Sequence, residues 1–172
     1  MCTLEKLKPD MEQEYLEYIA EWRNSGEVIV PMSSDYKDLV FNDYLRLQKE
    51  YETEEKCPEN FVPGTTWYFV NNTGRILGAI NIRHRLNDFL LREGGHIGYG
   101  IRPSERQKGY ASQMLSFALE KARALGIHHA LVTCSKANIG SAHTILKNRG
   151  ILENEVSDQD EITQRYWIDI NE

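Results

Sequence analysis

The sequence is poor in cysteine and has no long hydrophobic run, and each scarcity excludes a class of protein. Its three cysteines, Cys2, Cys57 and Cys134, lie far apart and form no Cys-x-x-Cys pair, so we expect reduced thiols rather than disulfides or a thiolate metal site. No segment approaches the roughly 18 apolar residues of a membrane span, and the N-terminus lacks the basic start and apolar core of a signal peptide. We therefore expect a cytoplasmic protein with no membrane partner.

Positive charge is also scarce. Lys and Arg number 20 against 26 Asp and Glu, which gives a formal net charge of −6. Non-specific binding of nucleic acid needs a basic surface, so we expect no nucleic-acid partner. The length of 172 residues and the 41% hydrophobic content suit one buried core, and we expect a single domain over residues 1–172. Any anionic ligand must rely on a local group of donors.

Motifs for metals and nucleotides are missing as well. Residues 95–100 are rich in glycine, but they do not match Gly-x-Gly-x-x-Gly, and the chain is predicted to continue there as a strand. His128 and His129 are adjacent, so their side chains diverge and make a poor metal pair. We expect a protein without a metal.

Apolar residues at helical spacing predict two helices in the first third of the chain. After a strand over residues 2–7, one helix opens at Pro9-Asp10 and ends at Asn24-Ser25-Gly26. The second helix is predicted to begin after Ser34 and to carry Leu39, Val40, Tyr44, Leu47 and Tyr51 on one face.

These two helices form an acidic block. Residues 10–61 contain 14 Asp and Glu against five Lys and Arg. Two interpretations remain open: the block is solvated helix surface, or it is an acidic approach for a cationic substrate.

The pattern changes to that of strands after Thr65. A hairpin is predicted from strands over residues 65–70 and 75–85 with a turn at 71–74, and a third strand follows over 96–101. We expect these three strands to be neighbours in an antiparallel arrangement.

Residues 98–111 then combine a strand, a basic turn and a helix start. The strand ends at Pro103, and the helix begins at Gly109. The first N–H groups of a helix have no acceptor within it, and the helix dipole adds partial positive charge at the same place. Gly109 leaves room for a phosphate near the backbone, while Arg106 and Lys108 add full charges. The stretch predicts a site for a diphosphate.

The remaining elements continue the alternation of helices and strands. The helix after Gly109 is expected to end at Gly126, and a buried strand over 130–134 should lie parallel to the strand that ends at Ile101, by the right-handed crossover rule. A last helix begins at Asn138 with Ala142, Ile145 and Leu146 facing inward. Two strands, 151–156 and 162–170, flank an acidic turn at 157–161.

The sequence Arg106-Gln107-Lys108-Gly109-Tyr110-Ala111 resembles the Arg/Gln-x-x-Gly-x-Gly/Ala signature of the GNAT N-acetyltransferase superfamily. Asn138-Ile139-Gly140-Ser141 resembles the family's Asn-x-x-Ser/Ala helix start, and residues 145–150 are similar to its run into a final glycine. The likeness covers residues 65–170. It implies an α/β GNAT-like fold, with a mixed, mostly antiparallel sheet, a central splayed pair of parallel strands, and flanking helices.

The resemblance also implies acetyl-CoA as the cosubstrate. Its diphosphate would be held by backbone N–H groups from Gln107, Lys108, Gly109, Tyr110 and Ala111, with Arg106 beside them. Its pantetheine arm would pair along Gly100 and Ile101. Asn138 has two open roles, as an N-cap that accepts from the N–H of Ser141 and as a contact to the pantetheine.

The activity implied by the resemblance is transfer of acetyl to a primary amine of a small molecule or peptide, by direct attack in a ternary complex. The sequence departs from the family at Ile145, where many members carry a tyrosine general acid. Candidates for the base and for ordering a water are His96, Glu93 and Tyr99.

The sequence is also compatible with two other functions. Ile145 is compatible with a non-catalytic CoA-binding or sensor domain, and the acidic helices are compatible with a structural module that binds a basic partner. A homodimer is the expected assembly for a soluble enzyme of this size.

Overall fold

The computed structural model describes residues 1–158 and 161–170. Within these residues, seven strands form one sheet in the order β1-β2-β3-β4-β5-β7-β6. The strands are β1 (Thr3–Glu5), β2 (Gly64–Val70), β3 (Ile76–Arg83), β4 (Ile97–Ile101), β5 (His129–Ser135), β6 (Ile151–Asp158) and β7 (Glu161–Asp169). The longer helices are α1 (Glu12–Ser25), α2 (Phe41–Glu50), α3 (Tyr110–Ala124) and α4 (Ile139–Lys147).

Alternate residues of each strand point to opposite faces of the sheet, and helices cover both of these faces. On the face of α3 and α4, Ile80 and Ile97 pack with Met114, Leu115 and other residues of one core cluster. On the face of α1 and α2, a second cluster is built mainly from aromatic side chains, namely Tyr15, Tyr18, Trp22, Phe41, Tyr44 and Tyr68.

The strand pairing follows the predicted order. β2, β3 and β4 are neighbouring antiparallel strands, and β4 pairs with β5 in parallel after the crossover through α3. The α/β fold with a central parallel pair is therefore confirmed. At the end of α3, Gly126 has φ +83° and Ile127 donates to the carbonyl of Ala122, which is the glycine cap expected there.

The second helix was predicted to begin too early. α2 begins at Phe41, while residues 32–34 form a single 3₁₀ turn and Lys37 and Asp38 have φ values of 49° and 61°. Such positive φ values are incompatible with a continuous helix. Leu39 and Val40 lie before α2 and are 41% and 69% exposed.

Other differences are local. In α4, Ile145 is fully buried as expected, but Leu146 is 51% exposed and does not face the core. The loop before β4 contains a π-helical turn, Leu90–Gly94, that periodicity did not predict. Residues 159 and 160 of the acidic turn lie outside the described residues.

Candidate active site

The central parallel strands separate soon after they pair. β4 and β5 share the register pair Ile97–Val132, and further along β4 the partners are those of β3 alone. Arg102 donates to the carbonyl of Leu77 on β3 at 2.9 Å, so by alternation the backbone groups of Tyr99 and Ile101 face the other edge. β4 therefore presents an open strand edge beside a gap.

A run of free backbone donors follows this edge. Among the described residues, no protein acceptor is found for the N–H groups from Gln107 to Ser112; the first to be satisfied is that of Gln113, which donates to the carbonyl of Gly109. Gly109 has φ +81°, and a Cβ there would meet nothing within 4 Å. The turn leads into the long helix α3, so its donors and the dipole of α3 act at one place.

The two basic side chains of the turn are engaged by acids. Arg106 forms two 2.8 Å hydrogen bonds with Glu27, and its guanidinium lies 5.0 Å from the ring centre of Trp22. Lys108 forms a 2.9 Å ion pair with Glu105. Within the described part of the chain, the donors at this turn that have no protein partner are thus those of the backbone.

Tyr99, Asn138 and Ser141 lie together across the gap. The hydroxyl of Tyr99 on β4 is 2.8 Å from Oγ of Ser141 on α4. The side chain of Asn138 accepts from the N–H of Ser141 at 3.0 Å, which confirms its N-cap geometry. Burial raises the pKa of Tyr99 to about 12, so its hydroxyl keeps its proton at neutral pH.

A cavity of about 640 Å³ lies on the face of α1 and α2. Its walls come from the segment after α1, from α2, β2 and β3, and from the π-helical turn; apolar lining residues include Tyr36, Leu47, Phe61, Phe89 and Leu90. A volume of this size accommodates a small organic molecule. Sequence periodicity did not predict the cavity, because segments far apart in the chain enclose it.

The acetyltransferase (GNAT) family model matches residues 12–151 of the sequence. The chain belongs to this family. No curated sequence matches the chain, so further comparison rests on solved structures.

Solved structures of N-acetyltransferases share the fold and cover nearly the whole chain. The spermidine/spermine N-acetyltransferase SpeG from Vibrio cholerae, in a mutant form, superposes with a TM-score of 0.62 at 16% identity, covering 99% of this chain and 95% of that one. An N-acetyltransferase from Staphylococcus aureus gives 0.64 at 17% identity and 99% coverage of both chains. A dodecameric spermidine N-acetyltransferase from Vibrio cholerae gives 0.63 at 14% identity, covering 98% and 94%. At these identities the likeness concerns the fold.

His96, one of the candidate bases in this GNAT chain, joins the two central strands. Its N–H donates to the carbonyl of Leu131 at 2.7 Å, and its Nδ1 accepts from the N–H of Leu131 at 3.0 Å. That acceptor bond uses the Nδ1 lone pair and leaves the proton on Nε2. Burial, with a smaller contribution from Arg83, lowers the pKa of His96 to about 4. His96 must release Leu131 before it can take a proton.

Glu93 lies in the π-helical turn before β4. Its carboxylate receives two hydrogen bonds from Arg92, at 2.7 and 3.0 Å. Its carbonyl accepts a 2.6 Å hydrogen bond from the hydroxyl of Thr133 on β5, which fixes the turn beside the gap. Of the two proposed bases, Glu93 has free lone pairs on its carboxylate without breaking a strand contact.

Many carboxylates of the acidic block are paired with basic side chains. Arg102 binds Glu14 and Glu21 at 2.7 and 2.6 Å, and Glu27 is held by Arg106. Within the cavity lining, Asp35 is the one acidic residue among those described, and Arg23 lies 3.7 Å from it. The contacts favour the interpretation of the block as surface and scaffold.

No group of three or more His, Cys, Asp or Glu side chains among the described residues is arranged to hold a metal ion. No helix in the same part of the chain has both the length and the apolar character needed to cross a membrane.

Proposed function

We propose that the protein transfers the acetyl group of acetyl-CoA to a primary amine of a small molecule or peptide, by direct attack in a ternary complex. The observation that carries the proposal is the run of unpaired N–H groups from Gln107 to Ser112 at the start of α3, next to the open edge of β4. Family membership supports the same reaction.

The residues present fit acetyl-CoA. Backbone donors from Gln107 to Ala111 would hold the diphosphate, and the backbone of Tyr99 with the N–H of Ile101 on the exposed edge of β4 would pair with the amides of the pantetheine arm. The carbonyl of Ile101 already accepts from Nε of Arg106 at 3.2 Å. The family resemblance predicts this pantetheine pairing at Gly100 and Ile101, but alternation along β4 favours Tyr99 over Gly100. Acetyl-CoA supplies a thioester carbonyl that a neutral amine can attack.

Three groups of the protein would then assist the reaction. The backbone N–H of Tyr99 is a donor for the negative charge that develops on the carbonyl oxygen. Glu93 is the proposed base for the ammonium proton. The Tyr99 hydroxyl, which is protonated at neutral pH, is the proposed acid for the leaving thiolate. It would take the role of the tyrosine that many family members carry where this chain has Ile145. We expect Tyr99→Phe to lower kcat more than it weakens acetyl-CoA binding.

The turn is tested by calorimetric titration with acetyl-CoA. Gly109→Glu places a carboxylate among the diphosphate donors and should abolish saturable binding. Gly126→Glu is a matched control, because Gly126 also has a positive φ, +83°, and open space around a Cβ, but caps the opposite end of α3. Equal acetyl-CoA affinity in the two variants would show that the turn is not the diphosphate site.

Self-association stays a prediction. One structural neighbour is a dodecamer, which supports an oligomer for this chain as well. Sedimentation velocity measures it directly: a dimer is expected, and a monomer across the accessible concentration range would contradict it.

A further inference from the structure

Arg83 lies in the lining of the cavity on the face of α1 and α2, and it has no acidic partner in the part of the chain that the structure describes. It lies at the end of β3, and its Nη1 donates to the carbonyls of Gly94 and Gly95 at 2.7 and 3.1 Å. Among the described residues, no carboxylate lies within 4.0 Å of its guanidinium, and its Nε and Nη2 have no acceptor. Burial lowers the pKa of Arg83, and no acid offsets this effect. An anion at Nε and Nη2 would complete the site.

The other charged residues of the lining do not supply that anion. Asp35 accepts from the N–H of Lys37 at 3.1 Å and lies beside Arg23. Lys37 itself is exposed at the rim and adds positive charge. The cavity therefore carries a net positive lining, which disfavours a polyamine and favours an acceptor with an anionic group.

Arg83 is also close to the place where the amine must react. A Cβ built on Gly98 would lie 3.3 Å from Nη2 of Arg83, and Gly98 is the first residue of β4 beyond its pair with β5. An anion bound by Arg83 thus lies next to the gap. An acceptor with its anionic group and its amine a few bonds apart can place both groups there.

We infer that the acceptor is an α-amino acid with a large apolar side chain, whose carboxylate binds the guanidinium of Arg83. The inference rests on the proposed function. The apolar walls formed by Tyr36, Leu47 and Phe61 suit the side chain of such an acceptor. The guanidinium also disfavours a second positive charge beside it, so it lowers the pKa of the bound amine and favours the neutral nucleophile.

The reaction balances without an oxidant or a further reactant. The amine nitrogen forms the amide bond to the acetyl carbon as the carbon–sulfur bond breaks. The nitrogen releases one proton to the base, and the thiolate takes up one proton. The products are the N-acetyl amino acid and free CoA.

Matched acceptors test the inference on the unmodified protein. Phenylalanine, leucine and methionine are each compared with the amine that lacks the carboxylate, 2-phenylethylamine, 3-methylbutylamine and 3-(methylthio)propylamine, and with spermidine. A bidentate charged contact should raise kcat/KM for the acid member of at least one pair about 10- to 100-fold. Equal or faster acetylation of the carboxylate-free amines or of spermidine would overturn the inference, and so would acetyl-CoA binding with no turnover of any amino acid.

Substitutions locate the contact. Arg83→Gln should lower kcat/KM for the amino acid much more than for the carboxylate-free amine, so that the ratio within the responsive pair falls close to one, and Arg83→Lys should restore part of the ratio. Lys37→Gln removes the same charge from the cavity rim and should change the ratio less than about twofold.

A purely structural role of Arg83, through Gly94 and Gly95, would instead lower both activities together and leave the ratio unchanged. That result would overturn the inference and leave the proposed function standing. If the unmodified protein did not bind acetyl-CoA, both the inference and the proposed function would be wrong.

Discussion

His96 connects the parallel strands through its side chain as well as its backbone. Its Nδ1 accepts from Leu131, so the folded protein needs the neutral imidazole, and its pKa is lowered to about 4. Above about pH 6.5 the histidine is neutral in both the folded and the unfolded chain, and its full contribution to stability is present. As the pH falls from about 6.5 towards 4, the unfolded chain binds a proton that the folded chain does not, and stability is lost.

This pH dependence gives a prediction for single residues. His96→Asn keeps an acceptor near Leu131 but cannot titrate. Between about pH 7.5 and 4.5, its free energy of unfolding should fall by about 2 to 3 kcal/mol less than that of the unmodified protein. Denaturant unfolding measures this difference, with the exposed His143→Asn as control. If His143→Asn reduces the pH dependence as much as His96→Asn, the assignment to His96 is wrong.

Single residues also show why the site could be predicted only in part. Gly109 and Asn138 were identified from sequence because turn and cap chemistry is local. Arg106 was expected beside the phosphate, but Glu27, far away in the sequence, binds it. Arg83 was not identified, although a charged residue in the apolar pattern of β3 was the available signal. The role of Arg83 depends on neighbouring residues that come from four separate segments of the chain.

At the scale of elements, the N-terminus of α4 faces the open edge of β4. Asn138 caps α4 through its side-chain oxygen, while its amide nitrogen has no acceptor among the residues described. One side chain can therefore cap the helix and donate to the pantetheine arm.

Two substitutions separate these roles. Asn138→Ala should cost about 1 kcal/mol of stability through loss of the cap. Asn138→Asp keeps a capping oxygen and should restore stability, but it has no amide donor and should bind acetyl-CoA more weakly than the unmodified protein. Thermal unfolding and calorimetry measure the two effects. Full recovery of acetyl-CoA affinity in Asn138→Asp would limit Asn138 to capping.

Element type and order could be predicted well, because the period of apolar residues distinguishes helices from strands locally. The beginning of α2 could not be predicted, because Lys37 and Asp38 adopt positive φ values that are not evident from their residue types. The π-helical turn before β4 was missed for a similar reason: it is fixed by tertiary contacts, such as the hydrogen bond from Thr133 to Glu93.

At the scale of the whole molecule, Arg102 ties α1 to the end of β4. Its guanidinium is almost fully buried and binds Glu14, Glu21 and the carbonyl of Ile76. The same carboxylates accept from the backbone N–H groups of Ile76 and Ser104. The network fixes α1 relative to the turn that binds the diphosphate in our proposal.

Loss of this network should be costly. Arg102→Met removes the cation nearest to Glu14 and Glu21, of which Glu21 keeps only Arg75 at 3.7 Å, and should lower the free energy of unfolding by about 3 kcal/mol. The exposed pair of Arg85 with Glu54 is the matched control, and Arg85→Met should leave stability close to that of the unmodified protein. Similar losses of unfolding free energy in the two variants would contradict a special role for the Arg102 network.

The proposed reaction has the acetyl donor and the amine acceptor on opposite faces of one gap between β4 and β5. Its most direct test follows thiol release from acetyl-CoA and, in the same sample, the appearance of acetylated amine by mass spectrometry. We predict amine-dependent release above the hydrolysis background, with one acetylated amine per thiol, and loss of both signals in Gly109→Glu but not in Gly126→Glu. Acetyl-CoA binding without amine-dependent thiol release, across amino acids, polyamines and peptides, would contradict the account and identify a non-catalytic CoA-binding domain.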